Sequence, residues 1–185
     1  MMTAENKLRF IVRASTREDW ARCLALDHTS VSEYVWQVAA QEEQGRVLYS
    51  FRNARLPRAM SIPYPRDAEA ISLSWQDCAY SVVAADAAQV YGYLTMRLDR
   101  AYKTGWIHDL VVDRRWRRHR VGTALLLEAR QWAQANGARR LMVETQSKNH
   151  PAISFCQRHG MAFCGFNDRY YLNQDIALFF GQNVR

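Results

Sequence analysis

Residues 107–146 hold the pattern that most limits the folds open to this chain. "IHDLVV" reads as a strand, "GTALLLEARQWAQANG" has a helical apolar stripe that Gly137 ends, and "ARRLMVETQ" reads as a strand again. A strand, a helix and a strand in that order make a right-handed crossover, which sets the two strands parallel. The joint between the first strand and the helix is unusual. "WRRHRVGTALL" (residues 116–126) places Arg117, Arg118 and Arg120 directly against the helix start. Amides at a helix start lack intrahelical partners, and the helix dipole adds positive potential there. With guanidinium groups beside it, such a start is suited to a phosphate chain, and Gly122 lets the backbone approach a ligand closely. A solvated basic turn is the bland alternative, and the turn alone does not decide between the two.

The remaining pattern predicts an α/β chain. "LRFIVRA" is a strand, and Thr16 precedes a helix through "REDWARCLALDH", with Thr16 and Asp19 at capping-box spacing. "SEYVWQVAAQEEQG" is expected to be a second helix, because Val35, Val38 and Ala39 repeat at helical spacing and Gly45 is a natural stop. Residues 46–66 form a proline-bearing ribbon in which Pro57, Pro63 and Pro65 argue against a regular central strand. "SLSWQDC" is a short helix, and "YSVVAA" and "VYGYLTMRL" form a hairpin around Asp86. "HPAISFCQRHG" is a helix opened by Pro151 and closed by Gly160, followed by the strands "MAFCGFN" and "DIALFF". The expected architecture is a mixed sheet with its middle strands parallel and helices on both faces.

Bulk properties narrow the function. The chain has 185 residues, which fits a single domain over 1–185, and its 49% hydrophobic and 23% charged content is that of a soluble globular protein. No apolar run has membrane-spanning length and "MMTAENKLRF" lacks the apolar centre of a signal peptide, so no membrane partner and a cytoplasmic location are expected. Cys23, Cys78, Cys156 and Cys164 show no metal-ligand spacing and read as reduced thiols, with no metal expected. A net charge of +7 favours anionic partners, but no nucleic acid is expected. Outside residues 116–120 and 50–60 the basic residues are scattered, without interleaved aromatics.

The basic turn resembles the cofactor signature of the GNAT superfamily of N-acetyltransferases, Arg/Gln-x-x-Gly-x-Gly/Ala. Arg117 fills its first position and Gly122 its last, while Arg120 stands where the first Gly is expected. Downstream, "NHPAISFCQRHGM" resembles the family's Asn-x-x-Ala-x-x-Phe-Tyr-x-x-x-Gly-Phe at Asn149, Ala152, Phe155 and Gly160, with Cys156 in the Tyr position and Met161 in that of the final Phe. "ETQSKN", "CGFNDRYY" and "DIALFF" further resemble the streptothricin acetyltransferase branch. The likeness runs from about residue 80 to the C-terminus. It implies a single GNAT domain whose mixed, mostly antiparallel sheet splays at a central parallel strand pair, with the 46–66 ribbon as an elaboration.

The resemblance also implies a chemistry: direct transfer of an acetyl group from acetyl-CoA, the co-substrate, to a primary amine. Leu110, Val111 and Val112, on a bulged strand, would bond the pantetheine arm together with Asn149. Arg117, Arg118, His119, Arg120, Val121, Gly122 and Thr123 would meet the pyrophosphate. Glu144 and His108 are candidate bases for the amine, and Cys156 is a candidate acid for the leaving thiolate. Each has a bland alternative: a surface strand Glu, a satisfied core His and a small buried helix Cys. Asp168, Tyr170 and Tyr171, with Asp175, are candidates to receive a cationic amine. A small aminated molecule, antibiotic or polyamine-like, is the first expectation. The alternatives are a protein N-terminus or lysine, or a non-catalytic acyl-CoA-binding module. The ribbon could form a substrate wall or a homodimer interface, with a solvated face as the plainer reading.

Overall fold

The computed structural model describes residues 8–184. Its strands are β1 (Ile11–Ala14), β2 (Ser30–Glu43), β3 (Arg46–Ile62), β4 (Tyr80–Ala85), β5 (Val90–Asp99), β6 (Thr104–Val112), β7 (Arg140–Gln146), β8 (Ala162–Asn167) and β9 (Ala177–Asn183). The α-helices are α1 (Asp19–Leu24), α2 (Ala68–Gln76), α3 (Val121–Ala135) and α4 (His150–Arg158), and Arg114–Trp116 makes one 3-10 turn. The chain divides into two compact units. The first takes the segments up to His28, from Arg66 to Leu141, and from Asn183 on; the second takes Thr29–Pro65 and Met142–Gln182.

In the first unit the strands lie in the order β1-β4-β5-β6, every neighbour antiparallel. Successive residues Val82, Val83, Ala84 and Ala85, and all of Val90 to Met96, are buried. Because side chains alternate across a strand, such runs mean that both faces of β4 and β5 are covered. Helix α3 packs on β4, β5 and β6, and α1 packs on β5. The buried stripe of α3 is Val121, Leu125, Leu126, Ala129 and Ala133, the four-residue spacing that its sequence displays. Tyr80 fixes the same helix to β4: its ring stacks on Trp132 at 4.6 Å and its hydroxyl donates to Glu128 Oε1 at 2.8 Å. At Gly92 a Cβ would stand 2.5 Å from the Val111 carbonyl oxygen, so only glycine lets β5 close against β6 there.

Thr16 and Asp19 are joined as their spacing predicts, though α1 is shorter than "REDWARCLALDH". The Asp19 carboxylate accepts from the Thr16 amide at 2.8 Å and takes the Arg13 guanidinium on both oxygens, at 2.6 and 2.8 Å.

The second unit corrects two expectations. "SEYVWQVAAQEEQG" is strand β2, and residues 46–62 of the expected irregular ribbon are the regular strand β3; together they make a two-stranded antiparallel sheet. The helical spacing of Val35, Val38 and Ala39 competes with a period-2 set, Tyr34, Trp36 and Val38, in a segment rich in β-branched and aromatic residues. Packing favours the second set: Trp36 meets Phe163 at 5.8 Å, Phe180 at 6.3 Å and Phe51 at 6.4 Å. Gly45 stops no helix. With Gln44 it forms the two-residue turn of the hairpin, both at positive φ (25° and 83°). Pro57 is accommodated because the register slips there: Tyr34 pairs with Arg55 and Ser32 with Met60, so Pro57 owes no ladder bond. Pro63 and Pro65 lie beyond the end of β3. In the same unit β7, β9 and β8 are neighbours in that order, with β8 and β9 antiparallel.

Contact with Arg13, with the Thr16 amide adding to it, lowers the pKa of the buried Asp19 from 3.8 to about 2. The group therefore stabilises the fold fully above the unfolded-state pKa, and the contribution disappears as pH falls through about 2. Asp19→Asn is expected to cost about 1–2 kcal/mol at neutral pH, allowing for the solvent exposure of Arg13. Denaturation across pH should show that difference closing between pH 4 and pH 2; a difference constant over that range would contradict the assignment.

Candidate active site

The turn from β6 into α3 lies wholly in the first unit. Two side chains pin it. Asp113, buried at the end of β6, accepts from the Arg115 amide (3.0 Å), from Arg115 Nε (2.9 Å) and Nη2 (3.1 Å), and from the Asp27 amide (3.2 Å). Arg117 turns back and donates from Nε to the Val112 carbonyl at 3.0 Å. Burial lowers the Arg117 pKa, but a guanidinium keeps its charge in a protein. Between these pins the Trp116 ring stands edge-on to Tyr91 at 5.1 Å.

The chain then reaches α3 with Arg118, His119 and Arg120 exposed. Arg118 (φ 67°) and Arg120 (φ 64°) are in the left-handed region, which costs a residue with a Cβ about 1–2 kcal/mol. Arg120 is the N-cap of α3 and its side chain makes no capping bond. This conformation gives the physical reason for glycine at that position of the resembled signature. The first α3 bond runs from the Ala124 amide to the Arg120 carbonyl at 3.0 Å. The amides of Val121, Gly122 and Thr123 thus precede the helical ladder, at its positive pole. Helix-start amides ringed by cations fit a diphosphate. Of the expected cofactor set, Leu110–Thr123 form one continuous stretch: Val111 and Val121 are buried, and Leu110, Val112 and Gly122 are half-buried.

The expected bulge is present on β6. Thr95 pairs with Asp109 and Met96 with Ile107, which leaves His108 as the extra residue. Thr95 and Met96 face opposite sides, so Ile107 and Asp109 do too, and simple alternation fails at His108. Asp109 is buried and fully engaged: Thr95 Oγ1 (2.7 Å) and Ser74 Oγ (2.8 Å) donate to Oδ2, and Arg66 Nη1 to Oδ1 at 3.1 Å. Arg66 also donates to the His108 carbonyl. Burial and the neighbouring Arg66 and Arg97 charges lower the His108 pKa below 6.5, so its ring is neutral at neutral pH.

In the second unit the structure brings Glu144 and Tyr170 together: the Tyr170 hydroxyl donates to Glu144 Oε2 at 2.7 Å. Tyr170 stands edge-on to Tyr171 at 5.1 Å and to Phe179 at 5.7 Å. Tyr171 is buried. Asp168 is exposed and pairs with Arg169 at 3.8 Å. Asn149 caps α4, its Oδ1 accepting from the Ala152 amide at 3.3 Å, so the Asn149 amide nitrogen is the group it would offer a pantetheine arm. Cys156 is buried, which pushes its thiol up to about 12.

Sequence reasoning did not find the Asp109 cluster or the Glu144–Tyr170 bond, since each joins residues distant in the chain; it also missed the Asp113 pin, whose bonds to Arg115 are local and whose bond to the Asp27 amide is not. Among the described residues no group of three or more His, Cys, Asp or Glu is arranged to hold a metal, and no helix is long and apolar enough to cross a membrane. A groove of about 930 Å³ in the first unit, lined by Trp20, Trp75 and Tyr80 among others, contains none of the expected site residues.

The left-handed backbone at Arg120 yields a stability test. Arg120→Gly should be more stable than Arg120→Ala by about 1 kcal/mol, because alanine keeps the left-handed cost and glycine does not, even after glycine's entropic cost. Chemical denaturation of the two variants measures it; equal stabilities would mean the turn relaxes to another conformation.

Residues 48–161 match the acetyltransferase (GNAT) family. Over 77 residues the chain is 36% identical to streptothricin acetyltransferase A of Bacillus subtilis (strain 168); the aligned stretch is 40% of this chain and 44% of that protein, less than half its length. Among solved structures, a nourseothricin acetyltransferase superposes with a TM-score of 0.82 at 22% identity, over 95% of this chain and 99% of the other. A protein from Bacillus anthracis strain Ames described as a streptothricin acetyltransferase, in complex with acetyl coenzyme A, gives 0.73 at 18% over 95% and 99%. The ribosomal-protein-S18-alanine N-acetyltransferase of Escherichia coli gives 0.66 at 11% over 95% and 94%. At these identities the structural likenesses establish the fold, an α/β fold with antiparallel strands, one parallel pair and helices. With more than half of its residues inside the family match, the chain belongs to the GNAT family of acetyltransferases.

Proposed function

We propose that this protein transfers an acetyl group from acetyl-CoA directly to a primary amine on a small, aminated molecule of antibiotic or polyamine type. The observation that carries the reading is the pinned, cationic entry to α3, where the amides of Val121, Gly122 and Thr123 and the guanidinium groups of Arg118 and Arg120 offer a diphosphate its donors. Leu110, Val111 and Val112, beside the bulge, would bond the pantetheine arm with Asn149. The resemblance to streptothricin and nourseothricin acetyltransferases supports the antibiotic-like acceptor.

Transfer needs a neutral amine, because an ammonium has no lone pair. Glu144 takes the proton of the incoming ammonium, and Tyr170, bonded to Glu144, orients that carboxylate. The amine nitrogen then attacks the thioester carbon, the C–S bond breaks, and the surplus proton left on the acylated nitrogen passes, directly or through a relay, to the departing thiolate. By resemblance to the family, a backbone N–H of the bulged strand near Leu110 would stabilise the developing oxyanion. For protonating the thiolate Cys156 is a poor donor, since a thiol near 12 gives up its proton uphill to an ordinary thiolate; Tyr170 or water serves more readily. Asp168 and the Tyr170 and Tyr171 rings favour a cationic acceptor. His108, neutral at neutral pH, is the second candidate base.

A non-catalytic acyl-CoA-binding module is the second reading, favoured by Arg120 at a glycine position and by the buried thiol of Cys156. Free thiol release from acetyl-CoA, measured with and without streptothricin-class amines, spermidine and lysine peptides, separates the two. Acetyl transfer predicts amine-dependent release, strongest for the small polyamines, with kcat/KM lowered about 10²-fold in Glu144→Gln. Release that no amine accelerates would favour the binding module. An acid limb below pH 6.5 that survives Glu144→Gln would move the base role to His108, whose lowered pKa puts its limb there.

A further inference from the structure

Residues 168–176 join β8 to β9 and carry Tyr170. Asp175, near the end of this loop, is its knot. Its Oδ2 receives Lys148 Nζ at 2.6 Å, Gln146 Nε2 at 2.7 Å and Asn173 Nδ2 at 2.7 Å. Its carbonyl accepts the amides of Tyr170 (3.1 Å) and Tyr171 (3.4 Å), and its own amide donates to Asn173 Oδ1 at 3.1 Å. A carboxylate so engaged is a poor receiver for a substrate ammonium, although its charge and its place in "NQD" first recommend it as one.

The partners of the knot give it a different use. Gln146 is buried and stands two residues after Glu144 on β7, and side chains two apart share a strand face. One face of β7 therefore holds the loop at two rungs: Gln146 grips Asp175, and Glu144 accepts from Tyr170. The backbone bonds from Tyr170 and Tyr171 to the Asp175 carbonyl join the two rungs, while Ser147 N to Ile176 O at 2.9 Å ties the loop's end to the residue after β7. We propose that Asp175 is a positioning residue: it fixes the height of the Tyr170 phenol over β7 and so the place at which the Glu144 carboxylate meets the incoming amine. This rests on the reading of Glu144 and Tyr170 given above, and it concerns the amine rather than acetyl-CoA.

The test combines kinetics with amide exchange on the full chain. With acetyl-CoA and the best small amine, Asp175→Ala should lower kcat/KM for the amine at least 10-fold and leave the KM for acetyl-CoA within 2-fold. Asp175→Asn, which keeps an acceptor oxygen, should fall between. In a Tyr170→Phe background, Asp175→Ala should lose most of its effect, because both changes act through one phenol. Hydrogen exchange at the Tyr170 and Tyr171 amides should quicken at least 10-fold in Asp175→Ala, with amides of β5 unchanged. The proposal is overturned if Glu144→Gln and Tyr170→Phe are impaired while Asp175→Ala turns over like wild type. Equal rises in both KM values, or effects additive with Tyr170→Phe, also overturn it, since they mark general loosening. If Glu144→Gln and Tyr170→Phe are both silent, the reading of the base falls and the role of Asp175 in turnover falls with it. Unchanged exchange at residues 170 and 171 would remove the knot itself.

Discussion

The bond from Arg117 Nε to the Val112 carbonyl holds together a local arrangement that charge and backbone both oppose. Five basic side chains, Arg114, Arg115, Arg117, Arg118 and Arg120, crowd into one turn with His119, and two of these arginines hold left-handed backbone. Left to repulsion and backbone preference, such a segment would spread into solvent. Arg117 instead folds back on the end of β6, and Asp113 takes Arg115 and the Asp27 amide from the other side. The remaining cations are thereby left at the head of α3. That helix is itself held by its buried stripe and by Tyr80 on Trp132. Backbone strain that concentrates positive charge at a helix start is the basis on which we propose this turn as the seat of a polyanion.

The second unit solves a different problem, that of holding the phenol of a loop residue against the carboxylate of a strand residue. β7 contributes Glu144 and Gln146 on one face, and the loop after β8 returns to both. Behind them the aromatic cluster of Trp36, Phe51, Phe163 and Phe180 makes the hairpin of β2 and β3 part of the unit's core. Rings of this size offer large apolar burial and preferred edge-to-face geometry, which fixes the β2–β3 hairpin against β8 and β9.

Legibility in the sequence followed the range of the determining forces. Helices α3 and α4 and strands β4 to β7 were readable because their apolar periods, Pro151 at the start of α4 and the turn at Asp86 all act within a few residues. The β2–β3 hairpin was not, because its apolar residues fit two periods and Gly45 suits a helix stop and a hairpin turn alike; only rings far away in the chain decide the matter. Pro57 misled for a related reason, since its exemption from the ladder depends on a register slip between strands. The basic turn before α3 and the candidates Glu144 and Tyr170 stand out in the sequence, but the bond between the last two, which spans 26 residues, does not. For Cys156 the sequence left two readings, an acid and a small buried helix residue; the structure buries it, a choice that helix spacing alone does not make for a short helix.

We propose that the head of α3 and its arginines grip a diphosphate. Calorimetric titration of the protein with acetyl-CoA and with S-acetylpantetheine, which carries the same thioester arm without the diphosphate and the nucleoside phosphate beyond it, measures that grip. Two or more charge-assisted bonds at roughly 1.5–3 kcal/mol each predict that acetyl-CoA binds at least about 100-fold more tightly, with an advantage that shrinks as salt rises. Equal affinities for the two, at low salt, would mean that the head of α3 does not hold the diphosphate.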